Sequence, residues 1–488
     1  MLFNSIDFAF FLPVVFGLYW FIARHNIRLQ NVLLLLASYY FYGSWDIRFL
    51  ALLAFSTLLD FFSGIKIHDA QTLIRKKVWL TFSVVLNVSL LAFFKYANFF
   101  VASFAELLMN IGFKPNFTLL QIVLPIGISF YTFHGLSYVF DVYRDKIKPT
   151  KNLIDYSLFV SFFPLLVAGP IERATHLLPQ IQTIRVFDAV KFADGLRQIL
   201  WGLFKKVIIA DTCAQYSAPI FNQFEHQSGG ALLLGAVLFM FEVYGDFSGY
   251  SDIALGSARL FGFELLQNFS FPYFSRSIAE FWSRWHISLS SWFRDYVYIP
   301  MGGSRVGRMK QLRNVFVVFL LSGFWHGASF NRILWGGLHA VFMLPSILWA
   351  SSQYKHTDIV AKGRSLPTWT ELLQMLSTFL LCTLALIVFR TTSLGDSFRY
   401  LKAIVISIFD ARIFSEIFVF WKQSMGLTPL LLIVILIVVE WLNRTKKYAL
   451  DELAIRVPQP LRWLIYFLLL GMLLLFAQRS RQFIYFQF

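Results

Sequence analysis

The sequence predicts an all-α protein that crosses a membrane many times, and three observations lead to this fold class. The chain is 57% hydrophobic and only 14% charged, whereas soluble domains are close to one quarter charged. The apolar residues form continuous runs rather than the alternating pattern of a membrane barrel. Many of these runs approach the length that a helix needs to cross the hydrocarbon. We therefore expect a bundle of roughly 10 to 12 transmembrane helices with re-entrant segments.

The charge balance has two interpretations in a chain of this kind. The formal net charge of +16 comes from 43 Lys and Arg against 27 Asp and Glu. In a soluble protein this surplus would indicate nucleic-acid binding, but no extended polar domain exists here to carry such a surface. We therefore interpret the surplus as the basic residues of cytoplasmic loops and expect no nucleic-acid partner.

The two cysteines, Cys213 and Cys382, match no metal-binding spacing. They exclude a disulfide scaffold, and we interpret them as inert structural residues. The sequence predicts no metal site and no bound cofactor.

The N-terminal part begins with four predicted spans. Basic residues separate the first from the second and the third from the fourth, which places the N-terminus outside and the Arg75–Lys77 loop in the cytoplasm. No positive charge precedes the first run, so we expect an anchor rather than a cleaved signal peptide. The four spans are Phe8–Ala23, Val32–Ser44, Phe49–Ile65 and Val78–Phe94.

Further spans follow along the chain. A short fifth helix, Asn98–Gly112, contains Glu106 and Asn110 and is expected to lie in the membrane interface. We divide the chain into N-terminal helices (1–115), a central core that holds the site (116–350) and C-terminal helices (351–488). The later spans are Leu119–Phe140, Leu338–Trp349, Leu372–Phe389, Leu430–Trp441 and Leu461–Phe476.

The middle third differs from the rest because Gly, Pro, Asp, Arg and His interrupt its apolar runs between Leu158 and His339. The stretches Val167–Pro170 and Tyr244–Asp252 are examples. Broken backbone at membrane depth is tolerated only where protein or a water-filled cavity covers it. We therefore expect broken or re-entrant backbone here, together with the functional site.

His326 is the most conspicuous ionisable residue in this region. It ends an apolar run and lies between Gly323 and Gly327, and small residues let another helix or a substrate approach closely. Burial favours the neutral imidazole, which can take a proton from a hydroxyl as acyl transfer requires. A hydrogen-bonded core histidine is the alternative.

His286 is the second candidate. If the segment around it is one helix, Trp282, His286 and Ser290 share a face. Arg284 and Arg294, together with Asp295, would supply charge for an ion pair or a phosphate-bearing ligand. An interfacial helix with an aromatic belt is the alternative.

Other polar residues of the middle third are weaker candidates. Asp246 and Asp252, with Ser248 and Tyr250 between them, could bind a cation, orient a histidine or cap a broken helix. The basic loop 305–313 could meet coenzyme A phosphates, although lipid contact and topology explain it more simply. His134 and His339 are interpreted as structural.

Six segments, taken together and in this order, resemble the membrane-bound O-acyltransferase family, in particular its alginate O-acetyltransferase branch. The resemblance implies a helical bundle around a central tunnel, where a cytoplasmic acyl thioester meets a hydroxyl acceptor. It maps the family's invariant histidine onto His326, beside Trp325, and a second functional position onto His286. The segments are Leu124–Phe130, Ser137–Arg144, Ala168–Pro170, Asp246–Asp252, Glu280–Ser290 and Trp325–Ala328.

The resemblance also predicts the activity. It implies a multi-pass enzyme of the bacterial cytoplasmic membrane that transfers acetyl from acetyl-CoA, with His326 as general base. The product would be an O-acetylated envelope polysaccharide, either alginate-like or peptidoglycan. An extracytoplasmic acetyltransferase or esterase-like partner would complete the transfer, so the direct acceptor is either a serine of that partner or the glycan.

Two alternatives stay open at this point. A related branch transfers D-alanine to teichoic acid. A non-enzymatic flippase or transporter could use Asp246 and the histidines as relays, although no internal repeat of the kind many transporters show is visible.

Overall fold

The computed structural model describes residues 1–113, 122–167, 169–348 and 358–476, and this part of the chain is helical without a β-strand. The predicted all-α fold is therefore confirmed. The chain forms two compact units, one of residues Met1–Gly195 with Ser257–Leu266 and the other of Leu196–Gly256 with Gln267–Phe488. The predicted boundaries near residues 115 and 350 lie outside the described residues, so that division stays a prediction.

Eight helices form most of unit 1. They are α1 (Ile6–Gly17), α2 (Ile27–Gly43), α3 (Arg48–Asp69), α4 (Leu73–Asn110), α5 (Ile128–Tyr143), α6 (Leu153–Ser161), α7 (Phe163–Leu166) and α8 (Ala174–Ile181). A π-helical turn, Leu18–Ile22, extends α1.

Unit 2 holds the remaining helices, and the division between the units falls within two of them, α9 and α11. The first are α9 (Ala189–Leu203), α10 (Asp211–Asn222), α11 (Gly229–Leu260), α12 (Ile278–Arg284), α13 (Ile287–Phe293), α14 (Arg308–His326) and α15 (Phe330–Phe342). Those that follow are α16 (Leu344–Leu348), α17 (Trp369–Arg390), α18 (Leu394–Phe409), α19 (Ile413–Phe420), α20 (Thr428–Leu442), α21 (Leu453–Arg456) and α22 (Gln459–Phe476). π-helical turns lie at Phe204–Ala210, Arg294–Tyr298 and Trp421–Met425.

Five of these helices, α3, α4, α11, α17 and α22, are long and apolar enough to cross a membrane. A sixth span is present if α19 and α20, which meet at a bend of 106°, count as one. The protein is thus a multi-pass membrane protein, and the figure of 10 to 12 spans stays a prediction. Leu338–Trp349 divides between α15 and α16, and Trp349 lies outside the described residues.

The predicted separate fifth helix is wrong. Val78–Phe94 and nearly all of Asn98–Gly112 belong to one helix of 38 residues, α4, which ends at Asn110 and carries Glu106 in its last turns. The sequence Leu73–Asn110 contains no Gly or Pro, and a few polar residues do not break a helix whose propensity is otherwise favourable.

In unit 1 the start of α4 lies beside the end of α5. Lys76, in the first turn of α4, lies 3.6 Å from a carboxylate oxygen of Asp145, just after α5. The basic residues around Arg75 and those after Tyr143 therefore occupy the same end of this unit.

Broken backbone occurs in the middle third, but not at every predicted position. Short helices do occupy residues 153–181 and 278–298, as expected. The stretch Tyr244–Asp252, however, lies within the continuous helix α11, so the break predicted there is wrong. Its glycines serve close packing instead, because a Cβ on Gly249 would lie 2.7 Å from the carbonyl oxygen of Gly202.

Candidate functional site

The candidate site of unit 2 is built on two helices that pack unusually closely. His326 is the last residue of α14, and α15 starts four residues later. A Cβ on Gly323 would collide with the carbonyl oxygen of Arg332, and one on Gly336 with that of Phe319. These glycines therefore allow backbone-to-backbone contact, which sets the end of α14 against the side chains of α15.

This packing creates a continuous row of aromatic rings, named here the histidine–tryptophan row. Ring centroids of neighbours along the row lie 4.7–6.0 Å apart, and each pair meets edge to face. The three histidines are buried, with 1%, 6% and 2% exposure in the order of the row. The members are His286, Trp325, His326, Trp335, His339 and Trp282.

The structure thus brings together four residues that the sequence predicts as candidates, namely His326, His286, Trp325 and Trp282. Trp335 was missed by sequence reasoning, although it lies nine residues after His326 in an amphipathic helix. Its indole Nε1 is buried and has no hydrogen-bond partner among the described residues, which is typical of a group that faces a ligand or water.

The orientation of the His339 ring is set by a hydrogen bond from another member of the row. The indole Nε1–H of Trp282 donates to His339 Nδ1 over 3.3 Å. Because an indole can only donate, His339 Nδ1 must be the unprotonated nitrogen and Nε2 the protonated one. His339 is therefore an oriented imidazole, more specifically placed than a histidine that only fills space.

The shared helical face predicted for Trp282, His286 and Ser290 is wrong. Helix α12 ends at Arg284 and α13 begins at Ile287, with His286 between them in the left-handed region at φ 44° and ψ 51°. Trp282 and Ser290 consequently lie on different helices. Histidine is among the residues that tolerate this conformation, but it is uncommon outside glycine.

The ring of His286 is enclosed. It meets the ring of Phe247 edge to face at 4.7 Å, in addition to its contact with Trp325. Among the residues that the structure describes, neither His286 Nδ1 nor Nε2 has a hydrogen-bond partner. A buried imidazole with both nitrogens available is suited to contact a polar substrate.

The backbone around His286 is held by residues 268–270. The N–H of Ile287 donates to the carbonyl of Asn268 over 2.9 Å, and the N–H of Ser270 to that of Arg284 over 3.0 Å. The hydroxyl of Ser288 donates to Asn268 Oδ1 over 2.6 Å. Sequence reasoning missed Asn268, because nothing in its local pattern links it to a histidine 18 positions away.

The polar candidates near His286 bond mainly to protein groups. The Arg284 guanidinium donates to Glu280 Oε1 over 3.0 Å and to the carbonyl of Asp358. The half-buried Ser290 hydroxyl points back to the carbonyl of Trp285 at 3.4 Å. Asp295 forms an ion pair of 2.9 Å with the exposed Arg294. Ion pairing, one of the two roles predicted for these charges, is thus observed.

Asp246 and Asp252 pair with two lysines that the sequence analysis did not single out. Lys206 lies 2.8 Å from Asp246 and 2.7 Å from Asp211. Lys205 lies 2.7 Å from Asp252. The sequence does contain a sign of these ion pairs, namely two adjacent lysines inside the apolar stretch 201–210. Charged residues in apolar sequence are rare and are usually paired.

Ser248 and Tyr250 complete this part of α11. Both are buried, and Ser248 Oγ has no hydrogen-bond partner among the described residues. The ammonium of Lys206 lies 5.8 Å from the ring centroid of Tyr250, a cation–π distance. Phe247, between Asp246 and Ser248, contributes one of the ring contacts to His286.

The basic loop and His134 lie apart from the row along the chain. Arg305, Arg308, Lys310 and Arg313 are exposed around the start of α14, the helix whose other end is His326. His134 is fully buried on α5 in unit 1. In the nearby segment Val167–Pro170, Ala168 lies outside the described residues.

The class of protein is defined by comparison of its sequence with known families. The membrane-bound O-acyltransferase (MBOAT) family profile matches residues 34–387. The chain belongs to this family, as the six segments predicted.

Three relatives show which kinds of acyltransferase the chain is similar to. The chain is 42% identical over 405 residues to the probable alginate O-acetylase AlgI of Pseudomonas aeruginosa, an alignment that covers 83% of this chain and 74% of that protein. It is 36% identical over 434 residues to the peptidoglycan O-acetyltransferase of Helicobacter pylori, covering 83% and 80%. A teichoic acid D-alanyltransferase of Bacillus subtilis is 29% identical over 270 residues, covering 52% and 65%.

Proposed function

We propose that this protein is a membrane O-acetyltransferase that moves acetyl from cytoplasmic acetyl-CoA to an extracytoplasmic hydroxyl, for O-acetylation of a cell-envelope polysaccharide. Family membership and relatives named for alginate and peptidoglycan acetylation support this. The observation that carries the proposal is the buried His326 at the junction of α14 and α15, between Trp325 and Trp335.

His326 acts as general base in the proposed reaction. Its imidazole takes the proton of the acceptor hydroxyl while the oxygen attacks the thioester carbonyl. The new C–O bond forms, the C–S bond breaks, and the proton passes to the coenzyme A sulfur as it leaves. Burial among aromatic rings keeps water, a competing acceptor, away from the thioester.

Other members of the row support the developing charge and the acceptor. The Nε1–H of Trp335, beside His326, is a donor suited to an oxyanion. His286 orients the acceptor or stabilises the transition state from the far side of Trp325. His339, held by Trp282, keeps Trp335 in place through its own ring contact of 4.9 Å.

The cellular setting follows from the same proposal. The enzyme lies in the bacterial cytoplasmic membrane, surrounded by lipid, and works with an extracytoplasmic acetyltransferase or esterase-like partner. That partner's serine, or the glycan itself, receives the acetyl group. Alginate-like polymers and peptidoglycan are the two acceptor classes, in keeping with the relatives' names.

Purified protein in lipid nanodiscs tests the reaction with radiolabelled acetyl-CoA and oligosaccharide acceptors. We expect thioester consumption that needs an acceptor and is lost in His326→Ala. The exposed His226 supplies the matched control, and His226→Ala should keep full activity. Use of a D-alanyl carrier protein instead of acetyl-CoA would favour the teichoic acid reaction, and consumption of neither donor would favour a transporter.

A further inference from the structure

The segment Asn268–Ser270 holds the backbone on both sides of His286. Asn268 accepts from the N–H of Ile287 and from the hydroxyl of Ser288, and Ser270 donates to the carbonyl of Arg284. These three bonds tie the residues on both sides of the Trp285–His286 pair to one segment of the chain.

Two features show that this arrangement is more than ordinary packing. His286 has a positive φ of 44°, a conformation that persists in a residue other than glycine only where its surroundings impose it. Asn268 is fully buried, yet its Nδ2 has no hydrogen-bond partner among the described residues. A buried amide with an unused N–H donor makes the fold less stable than an apolar side chain of similar size would. The stability of the fold alone therefore does not explain an asparagine at this position.

We propose that Asn268 is a positioning residue for His286. Its backbone carbonyl holds Ile287 and its side-chain Oδ1 holds Ser288, and together these bonds impose the left-handed backbone that sets the imidazole between Phe247 and Trp325. The inference rests on the proposed function, in which His286 contacts the acceptor or the transition state. It assigns to Asn268 no contact with the reacting atoms.

The kinetic test uses the full-length protein in nanodiscs. Asn268→Ala and Ser288→Ala both remove the bond between the Ser288 hydroxyl and Asn268 Oδ1. Each should lower kcat about tenfold or more, because small displacements of a catalytic group are costly. The KM for acetyl-CoA should stay within about twofold, since the proposal gives His286 a role towards the acceptor and the transition state and none in donor binding. Ser288→Thr, which keeps the hydroxyl, should restore most of the lost kcat.

Tyr400→Phe is the matched control. Its hydroxyl donates to the carbonyl of Leu232 over 2.8 Å and is fully buried, so this variant also loses one buried hydroxyl bond, but on α18 and outside the histidine–tryptophan row. It should lower the Tm without lowering kcat. A kcat loss in Asn268→Ala no greater than in Tyr400→Phe would overturn the proposal.

A second readout needs no activity. Diethyl pyrocarbonate modification, followed by mass spectrometry, reports how accessible each histidine is. His286 should be modified several-fold faster in Asn268→Ala than in the wild type, with His339 unchanged and no increase in Tyr400→Phe. If the wild type transfers no acetyl, the proposed function fails while this labelling still decides the role of Asn268: unchanged His286 labelling overturns it.

Discussion

Gly323 of α14 and Gly336 of α15 face each other so closely that the amide nitrogen of Gly336 lies 3.3 Å from where a Cβ on Gly323 would be. His326 lies one turn after the first glycine, and His339 three residues after the second. The geometry of the histidine–tryptophan row thus depends on glycine at both positions, because a side chain at either one would push α14 and α15 apart.

Replacing Gly323 by Ala should therefore disrupt the row. The added methyl group meets backbone rather than a flexible side chain, so the helices must separate, at a cost of about 1–3 kcal/mol or more. We expect a lower Tm in detergent and a larger loss of acetyl transfer than of protein yield. Gly337→Ala is the control, because its Cβ would have ordinary contact with Leu320 at 3.8 Å. Equal activity in both variants would argue against this account.

Lys206 should be essential for the stability of unit 2. Lys206→Met leaves Asp211 and Asp246 buried without their shared cation, and breaking a buried pair costs about 3–5 kcal/mol. Thermal unfolding in detergent measures the loss. Adding Asp246→Asn should recover part of it, since one uncompensated charge is removed.

The control for that prediction is the exposed pair of Arg412 and Asp410. Arg412→Met should change stability by less than about 1 kcal/mol, because exposed ion pairs contribute little. A small effect of Lys206→Met, similar to that of Arg412→Met, would show that the buried pairs do not hold α11 against the π-helical turn.

His176 should make the stability of unit 1 depend on pH. Its hydrogen bond of 2.8 Å to the buried Glu172 raises the pKa of His176 above the ordinary value of 6.5. The interaction of the protonated ring with Glu172 therefore makes its full contribution to stability below pH 6.5. This contribution is lost as the pH rises through the raised pKa of His176. The Tm difference between the wild type and His176→Ala should be largest in acid and shrink towards alkaline pH. In a Glu172→Gln background the difference should no longer vary in this way; a gap that widens with pH would contradict the assignment.

Much of this organisation was predictable from the sequence, and the exceptions have physical causes. Apolar runs predict the helices, and ionisable residues in apolar context single out His326 and His286. The helix break at His286 was not predictable, because the bonds on both sides of it come from residues 268–270, which no local pattern links to this histidine. The continuity of α4 and α11 was missed because polar residues and glycine weaken hydropathy without breaking a helix.

The ion-pair partners of the buried charged residues could not be predicted from the sequence either. Lys205 and Lys206 find Asp252 and Asp246 only because α9 and α11 approach at Gly202 and Gly249, which is a property of the tertiary structure. Site roles predicted from the family resemblance, such as a general base at His326, stay predictions that activity measurements decide.

The most direct test of the central proposal is chemical analysis of O-acetyl groups on the envelope polysaccharide of cells that carry the wild-type gene, the deletion or His326→Ala. We predict that the deletion and His326→Ala lose the acetyl groups equally, while the His326→Ala protein is present in the membrane at the wild-type level. Normal acetylation in cells whose only copy is His326→Ala would contradict the proposed role of this histidine.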